Sequence, residues 1–380
     1  MIDTVRLTLF KDKFRIFKPE LFHPHAHILD DHIPYGVPKV DCYQNSSKAV
    51  IAKGLCMIKL SAVKRFVKGG VQTTLTVEFS APKLVYGNNL DELEQGDFIT
   101  VLKILCNRLS NEMGVVVSEE DLKAATVSAI HFSKNISFVD YTTVNSIINY
   151  TRKINLTKRF DLNETKFRNE GLTIYHHSKS LQFILYDKIR EMQKVNGRGI
   201  EENVQLHLDI LGEVESAHKE PLEVLRSELR ILKRPKLRSM LKKIGEPYIE
   251  TFEEFFSKRL SQKMLQQYWN FIIEKLKPVI FAEDFTPQEV VKLILQQNRR
   301  IKPQAALSLI GIFYAIKHIG IRPLKTMLNT YFNARSCSRL LSQINDFEFP
   351  QSSRFEPFNH ISKALSEFKP LKMKDLTLPF

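Results

Sequence analysis

Thr4-Val5-Arg6-Leu7-Thr8-Leu9 decides how this chain is built. Val5, Leu7 and Leu9 alternate with polar residues, the period of two that sends one face of a strand to a core and leaves the other in solvent. The pattern returns at Leu75, Val77 and Phe79, after Lys68-Gly69-Gly70, which can fold one run back onto the next. It returns again in Leu181 to Tyr186 and in Leu222 to Ile231, and a further strand is predicted around Thr126 to Phe132. Helices are predicted near Asp97 to Leu109 and from about Tyr141 to Arg152, the latter with Asp140 in the N-cap position. Strands and helices intermix without a regular βαβ repeat, so residues 1–245 read as an α+β domain on an antiparallel sheet. Gly197 to Glu202 reads as a loop.

Beyond Gly245 the character changes to an all-helical region, residues 246–380. Phe252 to Leu276 carries apolar residues at helical spacing. Thr286-Pro287-Gln288-Glu289 combines an N-cap Thr, Pro at the first helical position and Glu at the third. Helices starting near Pro303 and Pro323, joined around Lys317-His318-Ile319-Gly320, have the length and turn of a helix-turn-helix. Arg299, Arg300, Lys302, Arg322 and Lys325 surround the pair. The region is therefore expected to contact DNA or a helicase.

The chain has 56 Lys and Arg against 42 Asp and Glu, a net charge of +14 that calls for a polyanionic partner. Nucleic acid ranks ahead of a membrane surface. No apolar run approaches the roughly 20 residues needed to span a bilayer, and no membrane partner is expected. The N-terminus lacks the features of a secretory signal, so the protein is expected in the cytoplasm where it is made. Cys42, Cys56, Cys106 and Cys337 form no CxxC pair, which argues against a zinc ribbon or a disulfide framework.

The chemistry points to Gly171-Leu-Thr-Ile-Tyr175-His-His-Ser-Lys-Ser-Leu-Gln-Phe-Ile-Leu-Tyr186-Asp-Lys188. An amphipathic strand ends at Tyr186, where Asp187 can begin a helix, placing a phenol at an element junction beside a cation. A phenol, with an ordinary pKa near 10, becomes a useful nucleophile only where a cation or metal stabilises the phenolate. Lys188 is placed to do so, or to neutralise a phosphate. On residues alone, a strand-end Tyr packed on a core is the commoner meaning of this pattern. Glu78 shares a polar strand face with Thr74 and Thr76, and Glu228 with Arg226 and Arg230. Two such carboxylates can meet over one sheet and hold a divalent metal, although a solvated or ion-paired glutamate is the ordinary case. Lys233, Arg234, Lys236 and Arg238, continuing to Lys242 and Lys243 without an acid, form either a solvated helix face or a phosphate-binding edge.

Four collinear blocks then carry a resemblance: the opening Met1-Ile2-Asp3, the run Val77 to Asn89, the Tyr175 to Lys188 segment, and Leu225-Arg226-Ser227-Glu228-Leu229-Arg230-Ile231. Together they resemble the gene II/X replication initiators of filamentous phages and, more distantly, the tyrosine initiators of rolling-circle plasmids. The similarity runs from Met1 to about Gly245. It implies a rolling-circle initiator that nicks and rejoins one strand of origin DNA through a 5′-phosphotyrosine. It implies Tyr186 as the linked tyrosine with Lys188 two residues on, Tyr175 as the plasmid-like competitor, and a Mg²⁺ or Mn²⁺ ion on Glu78 and Glu228. Where the phage initiators carry Arg-Ile-Asp, this chain has Ala129-Ile130-His131, which makes His131 the third candidate ligand.

Two rival metal clusters stand beside it. His25-Ala26-His27 has the spacing of the wider HUH nickase class but lies between prolines, more like a loop than a central strand. His176-His177 would point to opposite faces of a strand. No GxxxxGK[ST] P-loop is present, so unwinding would fall to a host helicase, with a host polymerase extending the free 3′ end. The departure at His131 leaves one alternative open: a DNA-binding regulator of the same fold without nuclease activity.

Overall fold

The computed structural model describes residues 1–47, 55–138, 144–154, 161–168, 173–193, 212, 222–350 and 355–376. Nine strands form one sheet: β1 (Ile2–Phe10), β2 (Lys39–Asn45), β3 (Ile58–Val67), β4 (Gly70–Ser80), β5 (Thr126–Phe138), β6 (Asp161–Arg168), β7 (Thr173–Ser178), β8 (Leu181–Asp187) and β9 (Glu223–Ile231). Their order is β2-β3-β4-β1-β5-β9-β8-β7-β6, with every neighbouring pair antiparallel. The β3–β4 hairpin turns at Lys68-Gly69, with Val67 opposite Gly70. Gly69 and Gly70 have φ of 101° and 139°, values that favour glycine at this tight reversal. Arg15–Ile16 and Val115–Val116 pair as a separate short ribbon.

The helices that follow or interrupt the strands are α1 (Ala81–Tyr86), α2 (Phe98–Met113), α3 (Glu119–Lys123), α4 (Val144–Lys153), α5 (Lys188–Gln193) and α6 (Arg234–Lys243). The C-terminal part contributes α7 (Phe252–Phe255), α8 (Lys258–Asp284), α9 (Pro287–Gln297), α10 (Pro303–Ile319), α11 (Ile321–Tyr331), α12 (Ala334–Ser342), α13 (Glu356–Glu367) and α14 (Met373–Leu376). The fold is α+β, an antiparallel sheet followed by helices, as the alternation predicts.

Two helices break where periodicity alone runs on. The Phe252 to Leu276 pattern divides because Thr251 and Ser257 each cap a new start, accepting from Glu254 N and Leu260 N. The helix expected to start near Pro323 starts two residues earlier, ends at Tyr331, and gives way at Phe332-Asn333 to a separate helix, where Asn333 Oδ1 accepts from Arg335 N (2.8 Å). The Thr286 signal holds, with Thr286 and Glu289 forming a reciprocal capping box on α9. Asp140 and Gly197 to Glu202 lie outside the described residues.

One face of the sheet is covered. Val5, Leu7, Leu75, Val77, Ile130, Phe132 and Phe183 point into a core completed by Val101, Leu102 and Leu105 of α2, Ile147 and Ile148 of α4, and Tyr268 and Trp269 of α8. The Phe183 and Tyr268 rings stack with centroids 6.0 Å apart. Each large apolar side chain so buried contributes about 1.5–3 kcal/mol, which fixes the strand parity that the opposite face inherits. Among the described residues no single helix is long and apolar enough to cross a membrane.

Candidate active site

The opposite face is polar and ordered in rows across four central strands. Arg226 of β9 lies opposite Asn135 of β5 and Tyr186 of β8; Glu228 lies opposite Ser133 and Ile184; Arg230 lies opposite His131 and Gln182. Tyr175 of β7 faces Ile184, one strand over and one row along from Tyr186. Strand alternation thus brings Tyr186, Tyr175, Glu228, His131, Arg226 and Arg230 onto one surface, as their sequence positions imply.

A β-bulge adds a residue that alternation hides. Ile2 pairs with Phe132 and Val5 with Ile130, so Asp3 and Thr4 together oppose His131. By simple parity Asp3 belongs on the core side with Val5 and Leu7; the bulge turns it onto the polar face. There it joins His131 and Glu228, with one donor atom from each of the three lying within 4.8 Å of the others. No other such group of three or more occurs among the described residues. The signal for Asp3 was in the opening Met1-Ile2-Asp3 block, but no periodicity gives it a role.

Cations hold these carboxylates in place. Arg226 donates through Nη2 to Asp3 Oδ1 (2.9 Å) and Ser133 Oγ (3.1 Å), and through Nη1 to Asn89 O (2.6 Å) and Asn135 Oδ1 (3.1 Å). Arg230 Nε donates to Glu228 Oε1 (2.9 Å), and His131 Nδ1 is 3.4 Å from the same oxygen. Burial is the largest influence on the Asp3 carboxyl and pushes it up, but Arg226, with His131 and Lys83, together outweigh it and the group sits below its ordinary range. Burial likewise opposes ionisation of Glu228, yet Arg230 and His131 hold it well below the usual carboxylate range. Both are therefore anionic at neutral pH. Two carboxylates and an imidazole suit a divalent cation such as Mn²⁺ or Mg²⁺.

Tyr186 is 8% exposed. Burial drives its phenol well above 10, and Arg226 is the main opposing influence. Asp187 caps α5, its Oδ1 accepting from Arg190 N (3.0 Å), so Tyr186 does stand at a strand-to-helix junction. Lys188 Nζ, however, is turned to Glu191 Oε2 at 2.6 Å inside the first turn of α5. Burial lowers the Lys188 pKa, and Glu191 partly restores it. The cation set directly against the Tyr186 row is Arg226.

A turn braces this centre. β1 begins beside Ser133, whose carbonyl accepts from the Met1 amino group (2.9 Å), and the 88–92 turn continues along β5, with the Asn89 and Leu90 carbonyls accepting from Asn135. Glu92 accepts from Asn135 N (2.6 Å) and from buried Lys134 Nζ (2.5 Å). It also accepts from Leu371 N (2.9 Å), which ties the C-terminal segment to the turn that positions Arg226.

The family model described as the N-terminal part of the replication-associated protein of the gene II type matches residues 1–254. The chain belongs to that family. No curated protein and no solved structure matches it. Other candidate residues of this gene II-type protein lie apart from the Asp3–His131–Glu228 group. Glu78 is absent from the three-residue group: it pairs with Arg6 across the β1–β4 ladder, Nε to Oε2 at 2.7 Å. His25 and His27 are exposed on a 3-10 turn at Ala26–Leu29 and lie outside the group too, because the proline-flanked segment forms no central strand. His176 and His177 do point to opposite faces; His176 is buried on the core side, where burial drops its pKa to about 3. In the basic run, Arg234 and Arg238 both converge on Glu250, at 2.8 and 3.1 Å, and Arg238 also stacks on Tyr248. Lys233, just before α6, and Lys242 and Lys243 at its end remain exposed, while Lys236 is half-buried.

Proposed function

We propose that this phage-type replication protein is a rolling-circle initiator that nicks and rejoins one strand of origin DNA, with Tyr186 as the nucleophile. The observation that supports it most is the shared surface: Tyr186, Arg226 and the Asp3–His131–Glu228 group lie within three neighbouring rows of one polar sheet face. A divalent cation held by Asp3, His131 and Glu228 would polarise the scissile phosphate and offset charge on the leaving oxygen.

In the forward step the Tyr186 oxygen bonds to phosphorus and the P–O3′ bond breaks. The phenolic proton is lost to solvent and the departing 3′ oxygen gains one, leaving a 5′-phosphotyrosine and a free 3′ hydroxyl. Rejoining is the reverse, and the phosphodiester bond energy retained in the adduct makes ATP unnecessary. Arg226 favours the developing phenolate and, through its bond to Asp3, couples the tyrosine to the metal ligands. Arg230 reaches both phenols electrostatically. Tyr175 remains the competing nucleophile on the same face. Lys188 acts by bracing α5 behind Tyr186, and Lys233 and Lys236 would reach the DNA backbone. Residues 1–245 would carry the chemistry in the host cytoplasm, with host helicase and polymerase supplying unwinding and extension.

Trapping the covalent peptide on a nicked oligonucleotide tests the reading. Tyr186→Phe is expected to eliminate the protein–DNA adduct while DNA binding survives. Loss of the adduct in Tyr175→Phe instead would move the nucleophile one strand over. Normal nicking by both variants would leave a metal-activated water as the better mechanism.

A further inference from the structure

Between Val290 and Asn345 the chain carries nine Lys and Arg and no Asp or Glu, nine of its fourteen excess positive charges. This segment holds α10 to α12. The chain turns through 117° between α10 and α11, within the range of helix-turn-helix pairs. Gly320 makes the turn at φ +81°, and a Cβ there would come within 2.9 Å of the Lys153 Cβ, so packing against α4 fixes the angle.

The two helices are used differently. α10 buries Ala306, Leu309, Ile312, Phe313 and Ile316, whereas α11 buries only Ile321 and α12 only Cys337. Thr326, Asn329 and Thr330 of α11 are exposed, as are Arg335 and Arg339, one turn apart on α12, and Arg299 and Arg300 at the end of α9.

We infer that α10 to α12 form a second DNA-binding surface that takes duplex DNA, with α11 as the helix presented to the major groove. Eleven residues give α11 a length of about 16 Å, and a major groove about 12 Å wide admits a helix. Asn329 offers the amide that pairs with adenine edges, and the flanking arginines reach phosphates. The α10–α11 pair is also apolar enough in composition to suggest a membrane, but the buried face of α10 is already spent on the core. The exposed face of α11 mixes hydroxyls and an amide with Met327 and Tyr331, and no acid offsets the arginines. This inference rests on the nicking reading for its biological sense but not for its test.

The test uses the full chain, a fluorescein-labelled random-sequence duplex, a single strand of the same length, and phosphatidylglycerol vesicles. Arg299→Ala/Arg300→Ala/Arg335→Ala/Arg339→Ala should weaken duplex binding at least tenfold. The log–log salt slope should become shallower by about 0.9 for each phosphate that is no longer neutralised. Adduct formation on a single-stranded substrate should stay at the parent level. The milder Arg335→Gln/Arg339→Gln should move in the same direction with an unchanged melting temperature. Parent-like duplex affinity and slope in both variants would overturn the inference. So would losses confined to the single strand or to vesicle binding. Tyr186→Phe separates the two readings, because it should keep duplex binding whether or not it abolishes the adduct.

Discussion

Two glutamates with the same local signature sit on the same face of the same sheet and have different surroundings. Glu78, between Val77 and Phe79, pairs with Arg6; their side chains are 26% and 47% exposed. Glu228, between Ser227 and Leu229, meets Arg230, His131 and the neighbouring Asp3 at 1% exposure. Alternation puts both carboxylates on the polar face, and only the position of the strand within the sheet separates them. Each strand has neighbours on both sides, but Glu78 of β4 stands opposite Arg6 of β1 and Lys59 of β3, whereas Glu228 of β9 shares its surroundings with Arg230, His131 and Asp3. The difference teaches that a carboxylate becomes a candidate ligand when a second acid converges on it in a buried setting, not when its strand parity is right.

The sharpest way to break this comparison is to remove the cation from each side. Arg226→Met leaves Asp3 buried without its partner and should cost about 3–5 kcal/mol in urea unfolding. Arg6→Met, at an exposed pair, should cost less than about 1 kcal/mol. Equal costs would show that the two halves of the face are energetically alike. The next contrast is catalytic. Glu228→Gln should lower manganese-dependent nicking of supercoiled DNA by more than about 100-fold, since even outer-shell changes at metal sites cost 10–100-fold. It should also weaken Mn²⁺ binding in calorimetry. Glu78→Gln should leave both unchanged, and the opposite pattern would return the metal to β4.

A smaller effect separates the two faces by pH. His176, on the covered side, is neutral in the folded state with its pKa depressed to about 3, whereas an unfolded chain protonates near 6.5. Its contribution to stability is therefore fully present above pH 6.5 and is lost progressively as pH falls from about 6.5 towards about 3. His176→Phe should flatten the fall in melting temperature over that window. An unchanged pH profile would mean that His176 is not what makes the covered face acid-sensitive.

The sequence by itself determined the antiparallel α+β class, the strands bearing Tyr186 and Glu228, and the polar face on which Glu78, Arg226, Glu228 and Arg230 lie. These follow from a period of two, from Gly69-Gly70 at a hairpin and from caps such as Thr286, all of which act within a few residues. It also marked the acid-free basic segment, because charge needs no geometry to be counted. Tertiary structure decided what local rules cannot reach. Asp3 enters the site only because a bulge against β5 reverses its parity. Arg226 becomes the cation beside Tyr186 because the 88–92 turn, Ser133 and Asn135 all converge on its guanidinium. Those are contacts between residues far apart in the chain, set by strand order and burial, and a period of two contains no information about which strands become neighbours.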